Sequence, residues 1–353
     1  MPTELAPTDD PRARALSALR RDGREATSFQ SLEPDCAHWF DGDDLVAYVD
    51  TGSAWVAAGA PVAPPSRVRD VAHGFVAAAR AANRRACFFA VESDFIEATG
   101  FTATKVGEQP VWDPRGWDDT LKGARKLREQ LRRARAHGVT VTVVEGRDLQ
   151  ADGGARARAL DAMAARFIAT RGMAPMGFLV DLRPTLCAEE KRYVFAEREG
   201  VIVEALALAP VYARGGWLLE DLLRAEGAPN GCSELMIDAA LRAAAEEGSR
   251  YATLGMVPLA GVGGWMRAVA DRARWLYDFR GLHAFRARLR PTRWDAVHLA
   301  TPPDRWPTVA LVESLRAFAR GSLLRFGLAT LRHRATRARR VASLTPAGCP
   351  RAP

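Results

Sequence analysis

The segment 218–261 orders an apolar run, a turn, a helix and a second apolar run without interruption, and few folds accommodate that order. Leu218-Leu-Glu-Asp-Leu-Leu-Arg224 leads into Gly227-Ala-Pro-Asn-Gly231, a helical stretch opens near Ser233, and Tyr251-Ala-Thr-Leu-Gly255 returns as a strand. In a strand–loop–helix–strand unit the loop and the helix N-terminus direct backbone N–H groups at one point, where an anion or a carbonyl oxygen can be held. Asp221 and Arg224 fall at its rim. Three residues apart on a regular strand they would face opposite ways, so they share a site only if the strand ends or bulges between them.

Upstream, Leu45-Val-Ala-Tyr-Val-Asp50 and Ala54-Trp-Val-Ala-Ala-Gly59 flank Thr51-Gly-Ser53 as a hairpin. A helix follows at 66–83, a strand at 86–91, a helix at 118–137 and a β-branched strand at 139–144. The Gly- and Asp-rich stretch 148–156 bounds this unit. A second cycle runs through a helix at 155–170, strands at 192–196, 201–212 and 217–223, the helix at 233–247 and the strand at 251–255. The expected division is a disordered N-terminus at 1–25, an α/β domain at 26–150, a second, catalytic domain at 151–302, a basic amphipathic segment at 303–335 and a disordered tail at 336–353. At 353 residues the chain suits two domains.

Composition narrows the setting. Although 48% of residues are hydrophobic, no uncharged run approaches the roughly 18–20 residues a bilayer span requires. Residues 1–21 hold no apolar core of a secretory signal, so a cytoplasmic address is expected. Cys36, Cys87, Cys187, Cys232 and Cys349 are widely spaced, with no C-x-x-C pair, and free thiols are expected. A formal net charge of +8 favours polyanionic partners.

Several blocks carry a family likeness. Asp221-Leu-Leu-Arg224, Ala228-Pro-Asn-Gly231 with Ser233-Glu-Leu-Met-Ile-Asp238, Leu254-Gly-Met-Val-Pro-Leu259, Tyr277-Asp-Phe-Arg-Gly-Leu282, Phe285-Arg-Ala-Arg288 and Pro291-Thr-Arg-Trp294 resemble the signature of the phosphatidylglycerol lysyltransferase C-terminal family, the catalytic part of the aminoacyl-phosphatidylglycerol synthases. Weaker likeness upstream, through Gly59-Ala-Pro61, extends it over about residues 28–300. The family's architecture is a tandem pair of GNAT-like acyltransferase domains, and the repeated element order agrees with that α/β class. The resemblance implies a tRNA-dependent aminoacyltransferase, with aminoacyl-tRNA as donor and an anionic phospholipid such as phosphatidylglycerol as acceptor, working at the inner face of the cell membrane. Neither cofactor nor metal is expected.

The resemblance also implies roles. Asp221 would orient or deprotonate the attacking hydroxyl, and Arg224 would hold phosphate or the developing oxyanion; the competing reading is a surface ion pair. Gly227, Asn230, Gly231, Ser233, Glu234 and Asp238 are candidates for substrate binding. Glu234 and Asp238 share a helical face and could meet an ammonium group, or serve as ordinary first-turn electrostatics with Ser233 or Asn230 as the cap. Arg286 and Arg288 stand where the family has lysines; they keep the charge but not the ability to lose a proton. Arg125, Lys126, Arg128, Arg132 and Arg133 make a basic helix with Leu127 and Leu131 as its apolar stripe, either a tRNA or lipid surface or a solvated face.

Two rivals stay open. An acyl-CoA-dependent GNAT N-acyltransferase would cradle CoA pyrophosphate in the loop 224–231, where Pro229 removes one amide donor. A non-catalytic RNA- or membrane-binding protein would use the basic helix and the C-terminal segment. That segment, 309–334, interleaves aliphatic residues with Arg316, Arg320, Arg325, Arg332 and Arg334 and suits either a membrane interface or packing on the domain.

Overall fold

The computed structural model describes residues 10–170, 174–273, 279–303 and 307–332. Its first helix, α1 (Pro11–Asp22), replaces the disorder expected at 1–25. Asp10 accepts from the Arg12 amide, Pro11 occupies the first turn where its missing N–H is no loss, and Ala15, Ala18 and Leu19 bury one stripe. Residues 1–9 and the tail 336–353 lie outside the described residues.

Strands β1 (Ala37–Asp41), β2 (Asp44–Asp50) and β3 (Ala54–Ala58) pair antiparallel in turn. Helix α2 (Val68–Ala81) then crosses to β4 (Arg85–Val91), which lies parallel to β3. Helix α3 (Ser93–Thr99) and the long β5 (Thr102–Trp112) follow. The single helix expected at 118–137 breaks at Ala124 into α4 (Trp117–Gly123) and α5 (Arg125–Ala136), leading to β6 (Thr140–Glu145) and α6 (Ala155–Thr170). Strands β7 (Arg192–Arg198), β8 (Val201–Val211) and β9 (Gly216–Leu219) are antiparallel neighbours, and the short β10 (Leu223–Arg224) also pairs with β8. Helix α7 (Cys232–Glu246) crosses to β11 (Tyr251–Thr253), parallel to β9. The chain ends through β12 (Val257–Pro258), α8 (Gly264–Ala273), α9 (Phe279–Arg288), β13 (Arg293–Thr301) and α10 (Pro307–Phe318).

All strands join one mixed sheet in the order β1-β2-β3-β4-β13-β5-β11-β9-β8-β7-β6, with β12 on β5. Its two parallel contacts, β3 with β4 and β9 with β11, each close a strand–helix–strand unit. One such unit in each half is the tandem GNAT-like arrangement expected from the element order.

The halves exchange strands. β5 of the first half pairs with β11 of the second, Trp112 opposite Ala252, while β13, the last strand, lies between β4 and β5. The division expected at residue 150 is therefore corrected. β6 pairs with β7 at the far end of the sheet, and Leu127, Leu131 and Ala134 of α5 pack with Leu235, Met236 and Ile237 of α7 over Leu206 and Leu208. The chain passes into the second half after β5, because the apolar stripe of α5 finds its partners there. Burial of each such leucine contributes about 1.5–3 kcal/mol.

Candidate active site at the β9–β10 bulge

Leu219 of β9 faces Leu208, and pairing resumes at Leu223 opposite Ala205. Glu220, Asp221 and Leu222 thus stand against only Leu206 and Ala207, which makes a β-bulge, and Asp221 adopts φ 28° within it. A left-handed backbone is uncommon outside glycine but tolerated by Asp. A break thus lies between Asp221 and Arg224, the condition under which they could share a site. It also reverses the faces: Leu219 packs in the α7 cluster, whereas Leu223 packs with Tyr193 and Phe195 on the other side.

Beyond the bulge Arg224 stands opposite Glu204. Its Nη2 donates to the carbonyls of Ala228 (2.6 Å) and Pro229 (3.2 Å), so the guanidinium holds the turn that enters α7. Glu204 is fully buried, and the Ser233 hydroxyl donates to its Oε1 while Oε2 has no hydrogen-bond partner among the described residues. Burial raises its pKa, against the hydrogen bond from Ser233 and the charge of Arg224. The expected cap is corrected: α7 begins on Gly231 at φ 87° with no side-chain cap, because Ser233 is turned to Glu204. A Cβ at Gly231 would run into the backbone carbonyl of Gln130, so the turn sits directly on α5. Gly227 and Asn230 are exposed beside it, and Glu234 is half-buried in the first turn.

Asp221 has other neighbours. Lys191 is 4% exposed, and its Nζ donates to Glu220 Oε1 at 2.6 Å, while Gln30 Nε2 donates to Glu220 Oε2 at 2.9 Å. Burial opposes the Lys191 charge, but Glu220 and Asp221 outweigh it and hold its pKa above the usual value. Glu33 is pushed up to about 9 by burial and by the charges of Asp181, Glu220 and Asp221. The bulge thus separates two electrostatic groups, Asp221 with Lys191, Glu220 and Glu33, and Arg224 with Glu204 and the α7 N-terminus. They are adjacent along one strand but meet different partners.

Asp238 departs from its expected role. It is 2% exposed, and its carboxylate accepts from Trp117 Nε1 (2.9 Å), Arg135 Nη2 (3.1 Å) and Arg242 Nε (3.0 Å). Those bonds tie α7 to α4 and α5 and leave it no opening to a substrate ammonium. Arg286 Nη1 donates to the Gly255 carbonyl at 2.6 Å, joining the Phe285–Arg288 block to the Leu254–Leu259 block. Arg288 lies over the Phe285 ring. Tyr277 and Asp278, part of the same likeness, lie outside the described residues.

Arg125, Lys126, Arg128, Arg132 and Arg133 share the exposed side of α5, opposite buried Leu127, Leu131 and Ala134. Arg125, Arg128, Arg132 and Arg133 line a cleft of about 560 Å³ with Glu129. Arg132 and Arg133 both bond Glu129, whose pKa falls to about 2, and Arg128 turns back to the carbonyls of Leu121 and Lys122.

A second cavity, of about 610 Å³, lies where the halves meet, lined among others by Glu92, Arg214, Tyr251, Arg293 and Trp294. Arg214 pairs with Glu92 at 2.5 Å, and the Glu92 amide donates to Glu25, which burial and the Glu92 charge push to about 8. Gly59, at φ 83°, is confined to glycine because a Cβ would strike Glu25 and Thr27. Neither Asp221 nor Arg224 lines this cavity, and the motif likeness, not cavity size, marks the candidate site.

A sequence model described as "Phosphatidylglycerol lysyltransferase, C-terminal" matches residues 15–301. The chain belongs to that family. A phosphatidylglycerol lysyltransferase of Bacillus subtilis is 33% identical over 123 residues, 32% of this chain and only 14% of that protein. Two solved structures share the fold: the C-terminal domain assigned to a lysylphosphatidylglycerol synthetase of Agrobacterium fabrum (TM-score 0.75, 21% identity, 88% of this chain and 98% of that one) and L-PGS of Bacillus licheniformis (0.72, 21%, 90% and 99%).

The sequence reading missed Glu204, Lys191, Glu220 and Glu33 around this family's motif. Glu204 carried a usable signal, a lone acid in the run Val201-Ile-Val-Glu-Ala-Leu-Ala-Leu208. Glu33 had none, since it reaches the bulge from a distant loop.

Proposed function

We propose that the chain moves an aminoacyl group from aminoacyl-tRNA to a hydroxyl of phosphatidylglycerol. The family match over residues 15–301 carries the reading. In the transfer the acceptor O–H breaks, its oxygen forms the new ester bond at the aminoacyl carbon, and the bond to the ribose oxygen breaks as the proton passes there. One ester replaces another, so positioning and oxyanion stabilisation are the main demands. Asp221 takes the hydroxyl proton or orients that hydroxyl. Arg224 holds the turn with Nη2 and offers its remaining donors to phosphate or the oxyanion. The exposed cations of α5, packed against that turn through Gly231, bind the tRNA backbone. Among the described residues no helix is long and apolar enough to cross a membrane.

The GNAT-like fold keeps an acyl-CoA donor as the second reading, and Pro229 in the loop counts against it. Incubating the chain with a charged tRNA pool and detergent-dispersed phosphatidylglycerol, then extracting the lipid, separates the two. Labelled amino acid in the lipid, with no heat of acetyl-CoA binding, is the expected result. Micromolar acetyl-CoA binding without lipid labelling would replace this reading with the acyl-CoA one.

A further inference from the structure

We propose that the outward side of α10 and of the helical stretch 323–332 forms one docking surface for an anionic phospholipid bilayer. The inward side of α10 is committed to the fold. Ala310, Ser314 and Ala317 are buried, and buried Glu313 accepts from Thr51 (2.6 Å) and Ser53 (2.8 Å) in the β2–β3 turn. The stretch 323–332 is anchored in the same sense, with Thr330 buried and accepting from the Ala174 amide at 3.3 Å.

The opposite side is apolar and, among the described residues, exposed. Of the eleven large hydrophobic side chains exposed among the described residues, seven fall within 309–331, including Leu324 at 83%, Leu328 at 58% and Leu331 at 64%. Such concentration in one short segment marks a contact surface, whereas scattered exposed leucines need no explanation. Its charge selects the occupant. Arg325 and Arg332 are exposed there, and from 319 to 334 the sequence carries no acid. Aliphatic side chains among arginines match a bilayer whose acyl boundary takes the former and whose anionic headgroups take the latter.

The position suits the proposed acceptor. Arg320 pairs with Asp35 (3.0 Å) and Asp181 (3.5 Å), and the charges of Asp181 and Asp221 both act on Glu33. Docking on this surface therefore brings the Asp221 side of the bulge toward the headgroup layer. That use rests on the proposed lipid acceptor, whereas the bilayer contact stands by itself.

The test compares the full chain with a Leu324→Asp/Leu328→Asp/Leu331→Asp variant and with Arg325→Gln. Flotation with phosphatidylcholine vesicles, with and without phosphatidylglycerol, measures binding at low and high salt. The parent should bind only vesicles containing phosphatidylglycerol and bind less as salt rises. The triple variant should lose at least about tenfold in binding from its aliphatic contacts. Arg325→Gln should lose about fivefold, the equivalent of about 1 kcal/mol per basic residue. Both should melt with the parent and keep its transfer to detergent-dispersed lipid. Undiminished vesicle binding by the triple variant overturns the proposal. So does an earlier melt of that variant, which would make the leucines core, or a parent that self-associates through this face without binding vesicles. A chain that binds as described yet transfers nothing leaves the docking surface standing and removes the proposed function.

Discussion

Glu33 is 5% exposed, its Oε2 meets no hydrogen-bond partner among the described residues, and its pKa is pushed up to about 9 by burial and by Asp181, Glu220 and Asp221. In the unfolded chain the same carboxyl loses its proton near the ordinary value of 4.5. Between those values the folded state holds a proton that the unfolded state has released. Stability present below pH 4.5 is therefore lost as pH rises toward 9, by at most about 1.4 kcal/mol per pH unit for one proton. Glu33→Gln, neutral at every pH, should shrink the drop in melting temperature between pH 5 and pH 8. Equal drops in parent and variant would show that Glu33 is ionised in the fold. Glu25, also raised, to about 8, adds the same trend to both proteins and cancels in the comparison. None of this was legible in the sequence, where Glu33 and Glu25 are loop acids that only tertiary packing buries. Asp221 and Arg224 stand out in the sequence only through the motif likeness; their three-residue spacing leaves a shared site dependent on a strand break, and a bulge with φ 28° at Asp221 lies between them.

The turn before α7 depends on one glycine. Gly231 sits at φ 87°, and an added Cβ would meet the Gln130 carbonyl, a backbone atom that cannot swing away. Gly231→Ala should therefore destabilise by more than the roughly 1 kcal/mol ordinary for a left-handed glycine, by forcing α5 and α7 apart. It should also lower transfer by moving the basic helix off the turn. Chemical denaturation gives the first result and the lipid assay the second; an alanine variant matching the parent in both would mean the turn is not held against α5. The elements the sequence concealed share a physical cause. β5 and β13 lie at the centre of the sheet yet carry Lys105, Glu108, Arg293 and Asp295, whose charges are paired locally, Lys105 with Glu108 and Arg293 with Asp295. Helix α1 was hidden by Pro11 and its four arginines, although its buried stripe has helical spacing. For the C-terminal segment the inward side of α10 packs on the domain, one of the two expected alternatives, and its outward side leaves Val309, Val312 and Leu315 exposed, the face on which the proposed bilayer contact rests. Truncation after Pro302 removes both at once, so outward point substitutions are the cleaner probe.

At the scale of the molecule, the exchange of β5 and β13 makes each half complete the sheet of the other. Unfolding should be a single cooperative transition, with far-ultraviolet circular dichroism and tryptophan fluorescence giving coincident curves. Two separated transitions would mean that the halves fold independently. The sequence conveyed the tandem class through its repeated element order, but not the exchange, because pairing between strands separated by more than a hundred residues leaves no local pattern. A continuous sheet fixes the bulge, the turn and α5 relative to one another, as the proposed transfer needs when its chemistry is mostly positioning. The central claim, that Asp221 serves aminoacyl transfer to lipid, is tested most directly by the rate at which labelled amino acid passes from charged tRNA into phosphatidylglycerol, parent against Asp221→Asn. Asn tolerates the left-handed backbone of the bulge, so the variant removes the charge and leaves the strand break. The parent should transfer, and the variant should lose about 10²–10³ in rate, the scale of one transition-state contact. A folded Asp221→Asn chain that transfers at the parental rate would contradict the claim.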